Sequence, residues 1–453
     1  MSRTRVAAPG QTPRRGGGRA VVIGASIAGL TAARALIEHF DEVVIVERDR
    51  LPDGPTPRRG VPQGRHIHLL LAAGARALED LCPGIIEDMT AAGAPSTGVD
   101  RARLCFNGHR LAKPSAGERG IGATRPFLEW HVRERVGSEP ELEVHDEVAV
   151  TDLVLDDDGA RVAGVRVQDT GRADDERTMP CDAVVDASGR RSPTPRWLEE
   201  HGYEPPPVDE VPVDVHYATH LVEQADQALA GDHIVAVGPR GEVPLGGVVL
   251  RVEDDRAIVT LYGLCGERPP RDLAGLESFA TRLPIEDVAE VVREGDPVTD
   301  PASFRFPANR RHRYERLRSL PFGLLVTGDA VSSFNPIYGQ GMTVAALEAV
   351  TLRNLLAEGG VPSPVRWFGS ITPVVDRAWD VAIGADLALP CVPGRRNWST
   401  RCQNAYVEKL HAAARHDPTL TDRFFRVSGL SEPASRLLRP GTLARVLRGS
   451  MRR

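Results

Sequence analysis

At 453 residues the chain is about three times the usual domain length, which excludes a single small module and implies two or three units sharing large cores. Apolar residues make up 41% and charged residues 26%, and no run approaches the roughly 20 apolar residues of a membrane span, so the sequence reads as a soluble protein with no transmembrane segment. The net charge is −6, but residues 1–19 and 436–453 are purely basic; the body between them carries about −17, which argues against a nucleic-acid-binding core.

Cys82, Cys105, Cys181, Cys265, Cys391 and Cys402 are scattered, with no Cys-x-x-Cys pair and no zinc-spaced cluster. Their density is too low for a disulfide scaffold, and a reducing cytoplasm fits best. No metal site is expected. Pro13-Arg14-Arg15 ahead of the apolar run from Ala20 has the outline of a twin-arginine export signal. Glycines interrupt that run at nucleotide-binding spacing, however, and residues 1–18 read as a disordered Gly/Arg tail.

Ala20-Val-Val-Ile-Gly24 is a buried-strand pattern, and Ser26 to about His39 carries apolar residues at helical spacing. Between them, Gly24 permits a tight turn and Gly29 lets helix and strand pack closely. The helix N-terminus offers free N–H groups to a pyrophosphate, and Ser26 stands where the middle glycine of this fingerprint usually lies. A second strand, Glu42–Val46, ends in Glu47, placed to accept ribose hydroxyls. This is a dinucleotide unit, and by itself it does not separate NAD from FAD.

Residues 140–168 predict strand pairs around the turn at Asp156–Gly159, and Cys181–Ala187 another strand. From about Pro205, Val213–Val222, Val243–Val252 and Arg256–Leu264 alternate apolar and polar residues, which predicts an antiparallel sheet with one buried face. Pro321–Thr327 returns as a buried strand and runs into Gly328-Asp329. A Pro/Gly-rich loop to Met342 and a helix from Thr343 to about Leu356 follow. A strand-end Asp with such a loop can hold a ribityl chain, and the helix N-terminus favours negative charge on a reduced flavin; a plain solvent loop is the alternative. Segments 367–389 and 399–415 are helical, and 434–453 has the pattern of a basic amphipathic helix broken near Pro440-Gly441.

The Gly24–Glu47 unit, Asp186-Ala187-Ser188-Gly189-Arg190-Arg191-Ser192, and Gly328-Asp329 with its Pro336/Gly341 loop resemble the three ordered signatures of flavoprotein monooxygenases of the para-hydroxybenzoate hydroxylase fold. Within that group, the segments Val61–Leu70, Thr124–Trp130 and Phe334–Met342 are similar to bacterial flavin-dependent epoxidases acting on polyene polyketides, such as those of polyether antibiotics, and more distantly to squalene epoxidase. The resemblance covers roughly residues 19–400.

It implies an α/β fold: a Rossmann-type FAD-binding domain over 19–204, with a connecting segment at about 60–135, and an inserted antiparallel-sheet substrate domain at 205–320. The FAD-binding domain returns at 321–360, and a helical region occupies 361–453. It implies that Gly24, Ser26 and Gly29 face the FAD pyrophosphate, Glu47 the ribose and Arg48 the adenine. Arg125 and Asp329 would then reach the phosphate and ribityl region, and Pro336, Gly339, Gln340 and Gly341 would border the isoalloxazine ring. Arg65 and His66 are weaker candidates near the flavin. Oxygen from O2 would pass from a flavin hydroperoxide to a carbon–carbon double bond or aromatic ring of a lipophilic substrate, without a protein nucleophile. His66, His68 and His216 are candidates to assist a proton transfer, packed or hydrogen-bonded histidines being the alternative.

One departure concerns the electron donor. Ser188 replaces the Asp of the family's usual Asp-Gly, which is associated with nicotinamide use, so NADPH acts slowly by itself or through a separate flavin reductase. Rival readings are a flavin halogenase, an isoprenoid double-bond reductase, and a non-catalytic flavin-binding or membrane-peripheral protein. Halogenation resembles a pattern with an active-site Lys and two Trp separated by one residue. The five Trp here are never so spaced, and the two lysines, Lys113 and Lys409, lie far from the motif loops in sequence.

Overall fold

A computed structural model of the chain describes residues 17–171 and 175–450. Apart from Gly17 and Gly18, the tail assigned to residues 1–18 lies outside the described residues. Continuous Val/Ile/Leu/Ala runs are stable as strands only where both sheet faces are covered. Four such runs join Leu142–His145 in a five-stranded parallel sheet, in the spatial order Leu324–Val326, Ala183–Asp186, Arg19–Ile23, Glu42–Val46, Leu142–His145. Register places Ile23 opposite Asp186 and Asp186 opposite Val326, so three segments remote in sequence leave the sheet side by side at its carboxyl edge. Helix Ile27–Ile37 packs on helix Gly341–Gly359, which also carries Pro364–Asp386. The hairpin expected around Asp156–Gly159 is present as Val148–Leu155 and Val162–Asp169.

The second sheet has nine strands. Its centre is the predicted antiparallel set, Val208–Glu223, Leu245–Arg251 and Ala257–Gly263, extended by Ala302–His312 and Ile234–Val237. The segment before helix Arg125–Gly137 also enters it: Ala102–Phe106 pairs parallel to Ile234–Val237. A five-residue strand carries no local sign of a partner so far along the chain, and for that reason sequence reasoning does not assign it.

Helices Trp398–Ala414, Pro418–Ser428 and Pro440–Ser450 cover the outer end of this sheet through Leu410, Leu420, Val427 and Val446. The basic C-terminal segment breaks where expected and docks on the body: Leu437 and Val446 are buried, Arg445 pairs with Asp417 and Arg436 with Glu432, while Leu438 and Leu447 stay exposed. Among the described residues no helix is long and apolar enough to cross a membrane.

The cysteine reading needs one correction. Cys265, just past strand Ala257–Gly263, forms a disulfide with Cys391, beyond helix Pro364–Asp386, with Cα atoms 5.9 Å apart. Nothing in the sequence spacing announces a bridge across 126 residues, because the two meet only once the helix has packed on the sheet. The other four cysteines are free. Chain-entropy arguments put the ceiling of such a long-range cross-link at about 5 kcal/mol. Cys391→Ser, or reduction of the wild type, should therefore lower the thermal midpoint in a calorimetric scan; equal midpoints for the oxidised and reduced protein would contradict this.

Candidate functional site

The carboxyl edge of a parallel sheet is where an open α/β fold leaves a crevice. Gly24 leaves strand Arg19–Ile23 with φ of +102°, and a Cβ there would lie 2.9 Å from the Ala187 carbonyl oxygen. A Cβ on Gly29 would lie 1.8 Å from the Gly24 oxygen, so this crossing admits glycine alone. Glu47 is buried at the end of the neighbouring strand; its Oε2 accepts from the Ala25 N–H at 2.8 Å and its Oε1 from the Asp49 N–H at 3.0 Å.

Around this turn lies a buried charge network that sequence reasoning finds only in part. Arg58 pairs with Glu47 at 3.1 Å, Asp49 at 3.3 Å and Glu129 at 2.6 Å. Glu129 also accepts from the Ser26 hydroxyl at 2.8 Å and pairs with Arg125 at 3.3 Å, and Arg125 donates to Ser26 Oγ at 2.6 Å. The hydroxyl at position 26 is thus tied to Glu129. Burial lowers the Arg125 pKa, against the attraction of Glu129, and its Nε has no partner. Arg58 carries no motif of its own; Glu129 lies in the Thr124–Trp130 segment, one helical turn after Arg125, but nothing there announces its pairing with Arg58.

The middle signature is organised by Asp186, fully buried, whose carboxylate accepts from the Ser188 N–H at 2.9 Å, the Ser188 hydroxyl at 2.6 Å, the Thr194 hydroxyl at 2.6 Å and the Ser192 hydroxyl. Ser188 therefore serves the turn. Arg190 crosses to the second sheet, donating to the Ala308 carbonyl at 2.7 Å and to Ser333, its guanidinium 4.8 Å from the centre of the Phe306 ring.

The third segment brings Gly328-Asp329 beside the first. Asp329 is exposed at this turn, yet desolvation by the protein packed around it raises its carboxyl pKa, opposed by the charges of Arg125 and Arg190. A Cβ on Gly341, at the start of helix Gly341–Gly359, would lie 3.7 Å from Asp329 Oδ1. Behind the turn, fully buried Glu348 accepts from the Gly328 N–H at 2.7 Å and the Thr327 hydroxyl at 2.6 Å. Burial pushes its carboxyl pKa up to about 7, against those two donors.

Pro336–Gly339 also floors a largely apolar cavity of about 240 Å³ under the second sheet, walled by Leu104, Phe106, Tyr217, Val248, Tyr262 and Phe304. Phe425 and Arg426 of helix Pro418–Ser428 also line it. The volume falls below the roughly 300–1,000 Å³ of sites that swallow a drug-sized ligand. His66 lies in the wall, Nδ1 2.8 Å from Thr219 Oγ1, and burial with nearby Arg65 lowers its pKa to about 4. His68 falls to about 3, chiefly by burial and then by the charge of Arg125. Both imidazoles are neutral at physiological pH. His216 lies outside the cavity lining, near Asp214.

The structure thus gathers Gly24, Ser26, Gly29, Glu47, Arg125, Asp329 and Gly341 at one crevice, and Pro336 and Gly339 between it and the cavity. Of the remaining predicted residues, Arg48 next to Glu47 and Arg65 next to His66 of the cavity wall are exposed, as is Asp329, and Gln340 is buried with its amide donating to the Ser428 carbonyl at 2.9 Å.

A protein-family model described as "FAD binding domain" matches residues 19–359. The chain belongs to this FAD-binding family. It is 37% identical over 426 residues, 90% of this chain and 88% of the other, to Protein Rv3254 of Mycobacterium tuberculosis. Among solved structures, the flavin-dependent brominase Bmp2 is similar with a TM-score of 0.62 at 16% identity, covering 91% of this chain and 93% of the other. The p-nitrophenol 4-monooxygenase PnpA of Pseudomonas putida has a TM-score of 0.60 at 15% identity, covering 90% and 98%. At such identities these two establish the fold alone.

The carboxyl of Glu348, held above its ordinary 4.5, binds a proton in the folded state that the unfolded chain releases between about pH 4.5 and 7. Its contribution to stability is complete below that window and is lost as pH rises through it. Relative to Glu348→Gln, the wild type should lose thermal midpoint between pH 5 and 7.5; parallel midpoint-versus-pH curves would contradict the assignment.

Proposed function

We propose that the protein is an FAD-dependent monooxygenase that places one atom of O2 on an electron-rich carbon–carbon bond of a mostly apolar molecule. The carrying observation is continuity: one loop begins at Asp329 in the crevice and ends at Gly341, with Pro336–Gly339 flooring the apolar cavity.

The residues present fit FAD. The glycine crossing at Gly24 and Gly29 leaves room only for backbone, among the described residues the Arg125 Nε is buried without a hydrogen-bond partner, and Asp329 is exposed beside Gly341. On this reading Gly24, Ser26 and Gly29 border the pyrophosphate and Glu47 the ribose. Arg125 and Asp329 hold the phosphate and ribityl stretch, and Pro336, Gly339 and Gly341 border the ring. Arg58, braced between Glu47 and Glu129, orients the ribose-binding carboxylate. Arg48 is proposed for the adenine and Arg65 for the neighbourhood of the ring, and Gln340, its amide spent on the Ser428 carbonyl, borders the ring with its glycine neighbours.

Bound FAD supplies the redox and oxygen chemistry. The protein's part is to seat an apolar segment against the ring and keep water out, with Tyr217, Phe304 and Phe425 doing the latter. Neutral His66, hydrogen-bonded to Thr219 and through it to Thr260, offers an uncharged hydrogen-bonding group in the wall rather than a cation. The apolar lining favours the epoxidase branch over small charged aromatic substrates. Halogenation is disfavoured because neither lysine reaches the cavity: Lys113 pairs with Asp232 and Lys409 is exposed on helix Trp398–Ala414. No carboxylate stands at position 188, which supports slow direct reduction by NADPH and faster reduction through a flavin reductase.

The test is incubation of the FAD-loaded protein, NADPH and a flavin reductase with a panel of polyenes and aromatics under ¹⁸O2. One labelled oxygen atom in a polyene product, read by mass spectrometry, is the expected result. Saturated product without label would establish a double-bond reductase, and preference for hydroxybenzoates would remove the epoxidase branch.

A further inference from the structure

Asp386, the last residue of helix Pro364–Asp386, is fully buried and lies in none of the sequence signatures. Its Oδ1 accepts from Asn335 Nδ2 at 2.8 Å and from the Tyr338 hydroxyl at 2.7 Å, and its Oδ2 from Asn309 Nδ2 at 2.7 Å. Asn335 is gripped in turn: its N–H donates to Asn309 Oδ1 at 2.6 Å, and its Oδ1 accepts from the Tyr217 hydroxyl at 3.2 Å. Every donor on the carboxylate is neutral, and among the described residues no cation pairs with it. Burial raises its pKa, opposed by the three donors. A carboxylate buried without a counter-ion holds its place only by saturating its acceptor sites, so its partners are fixed in direction as well as in distance.

Those partners belong to particular places. Asn335 and Tyr338 flank Pro336-Ile337 in the loop between the crevice and the cavity, and Tyr217 and Tyr338 line the cavity itself. The chain just after Asp386 is fastened independently: Arg396 donates to the carbonyls of Leu387, Leu389 and Val392, and Cys391 is bridged to Cys265. Leu387, Leu389 and Val392 pack with Tyr217, Tyr262 and Phe306 of the second sheet. The carboxylate is therefore anchored to the substrate side and reaches across to the loop.

We propose that Asp386 is a positioning residue that, through Asn335 and Tyr338, sets the loop Asn335–Gly341 and with it the seat of the flavin ring against the cavity. This rests on the FAD-dependent reading above. It differs from the role of Glu348, which holds the opposite end of the same loop at Thr327-Gly328. Asp386→Asn keeps the shape, but with its carbonyl toward Asn335 and Tyr338 its N–H2 meets Asn309 Nδ2, and flipping the Asn309 amide to relieve that clash turns an N–H2 against the Asn335 N–H, so the loop shifts in either arrangement.

The experiment compares wild type, Asp386→Asn and Tyr338→Phe by far-UV circular dichroism, FAD titration of the apoprotein, and the visible absorption and circular dichroism of the bound flavin. Asp386→Asn should retain the wild-type far-UV spectrum, weaken FAD by about tenfold and move the flavin bands toward those of free FAD. Tyr338→Phe, which removes a single donor, should move them the same way by less, and it keeps the proposal testable should Asp386→Asn fail to fold. Flavin spectra and FAD affinities identical to wild type in whichever variants fold would overturn it, as would a lowered thermal midpoint with an unchanged flavin spectrum, which marks a structural role only. A wild type that takes up no FAD would instead overturn the functional reading on which this inference rests.

Discussion

The register of the parallel sheet is the constraint on which everything else depends. Because Ile23, Asp186 and Val326 sit opposite one another, the turns that follow them open onto one crevice although they come from opposite ends of the FAD-binding region. A slip of one residue in either strand pair would invert which side chains face the helices and which direction each turn leaves the sheet. The near-continuous Val/Ile/Ala/Leu content of these strands holds that register, since every position beyond Arg19 is buried.

The turns are then fixed by buried acidic side chains. Glu129 joins Arg58, Arg125 and Ser26; Asp186 closes the middle turn with hydroxyls; Glu348 and Asp386 hold the two ends of the third loop. An unsatisfied buried carboxylate would cost several kcal/mol, so each meets hydrogen-bond donors, many of them on the turns themselves. Glu348 Oε1, which has no donor among the described residues, belongs to the carboxyl whose pKa burial raises.

Much of the fold was legible because its signals are local. The strand–glycine–helix unit, Glu47, the strand before Gly328-Asp329 and the alternating strands from Val208 to Gly263 follow from periodicity and turn chemistry in short windows. What could not be read depends on packing between distant segments. Arg58 and Glu129 meet only after the connecting segment folds back; Ala102–Phe106 pairs on one side with Ile234–Val237, far along the chain; Cys265 reaches Cys391 only across a packed helix. Gln340 adds a detail that no motif gives, its amide donating to the Ser428 carbonyl. The cavity is also lined by Phe425 and Arg426, which no motif marks.

The central claim is that two units remote in sequence hold the two halves of one dinucleotide, with Glu47 at the adenosine half and Asp329 at the flavin half. Calorimetric titration of apoprotein with FAD and with ADP, for wild type, Glu47→Gln and Asp329→Ala, tests it most directly. The account predicts one FAD per chain, weakening of both ligands by Glu47→Gln, and weakening of FAD by about tenfold or more, with ADP unchanged, by Asp329→Ala. Undiminished FAD affinity in Asp329→Ala, or an equal loss of FAD and ADP in that variant, would contradict it.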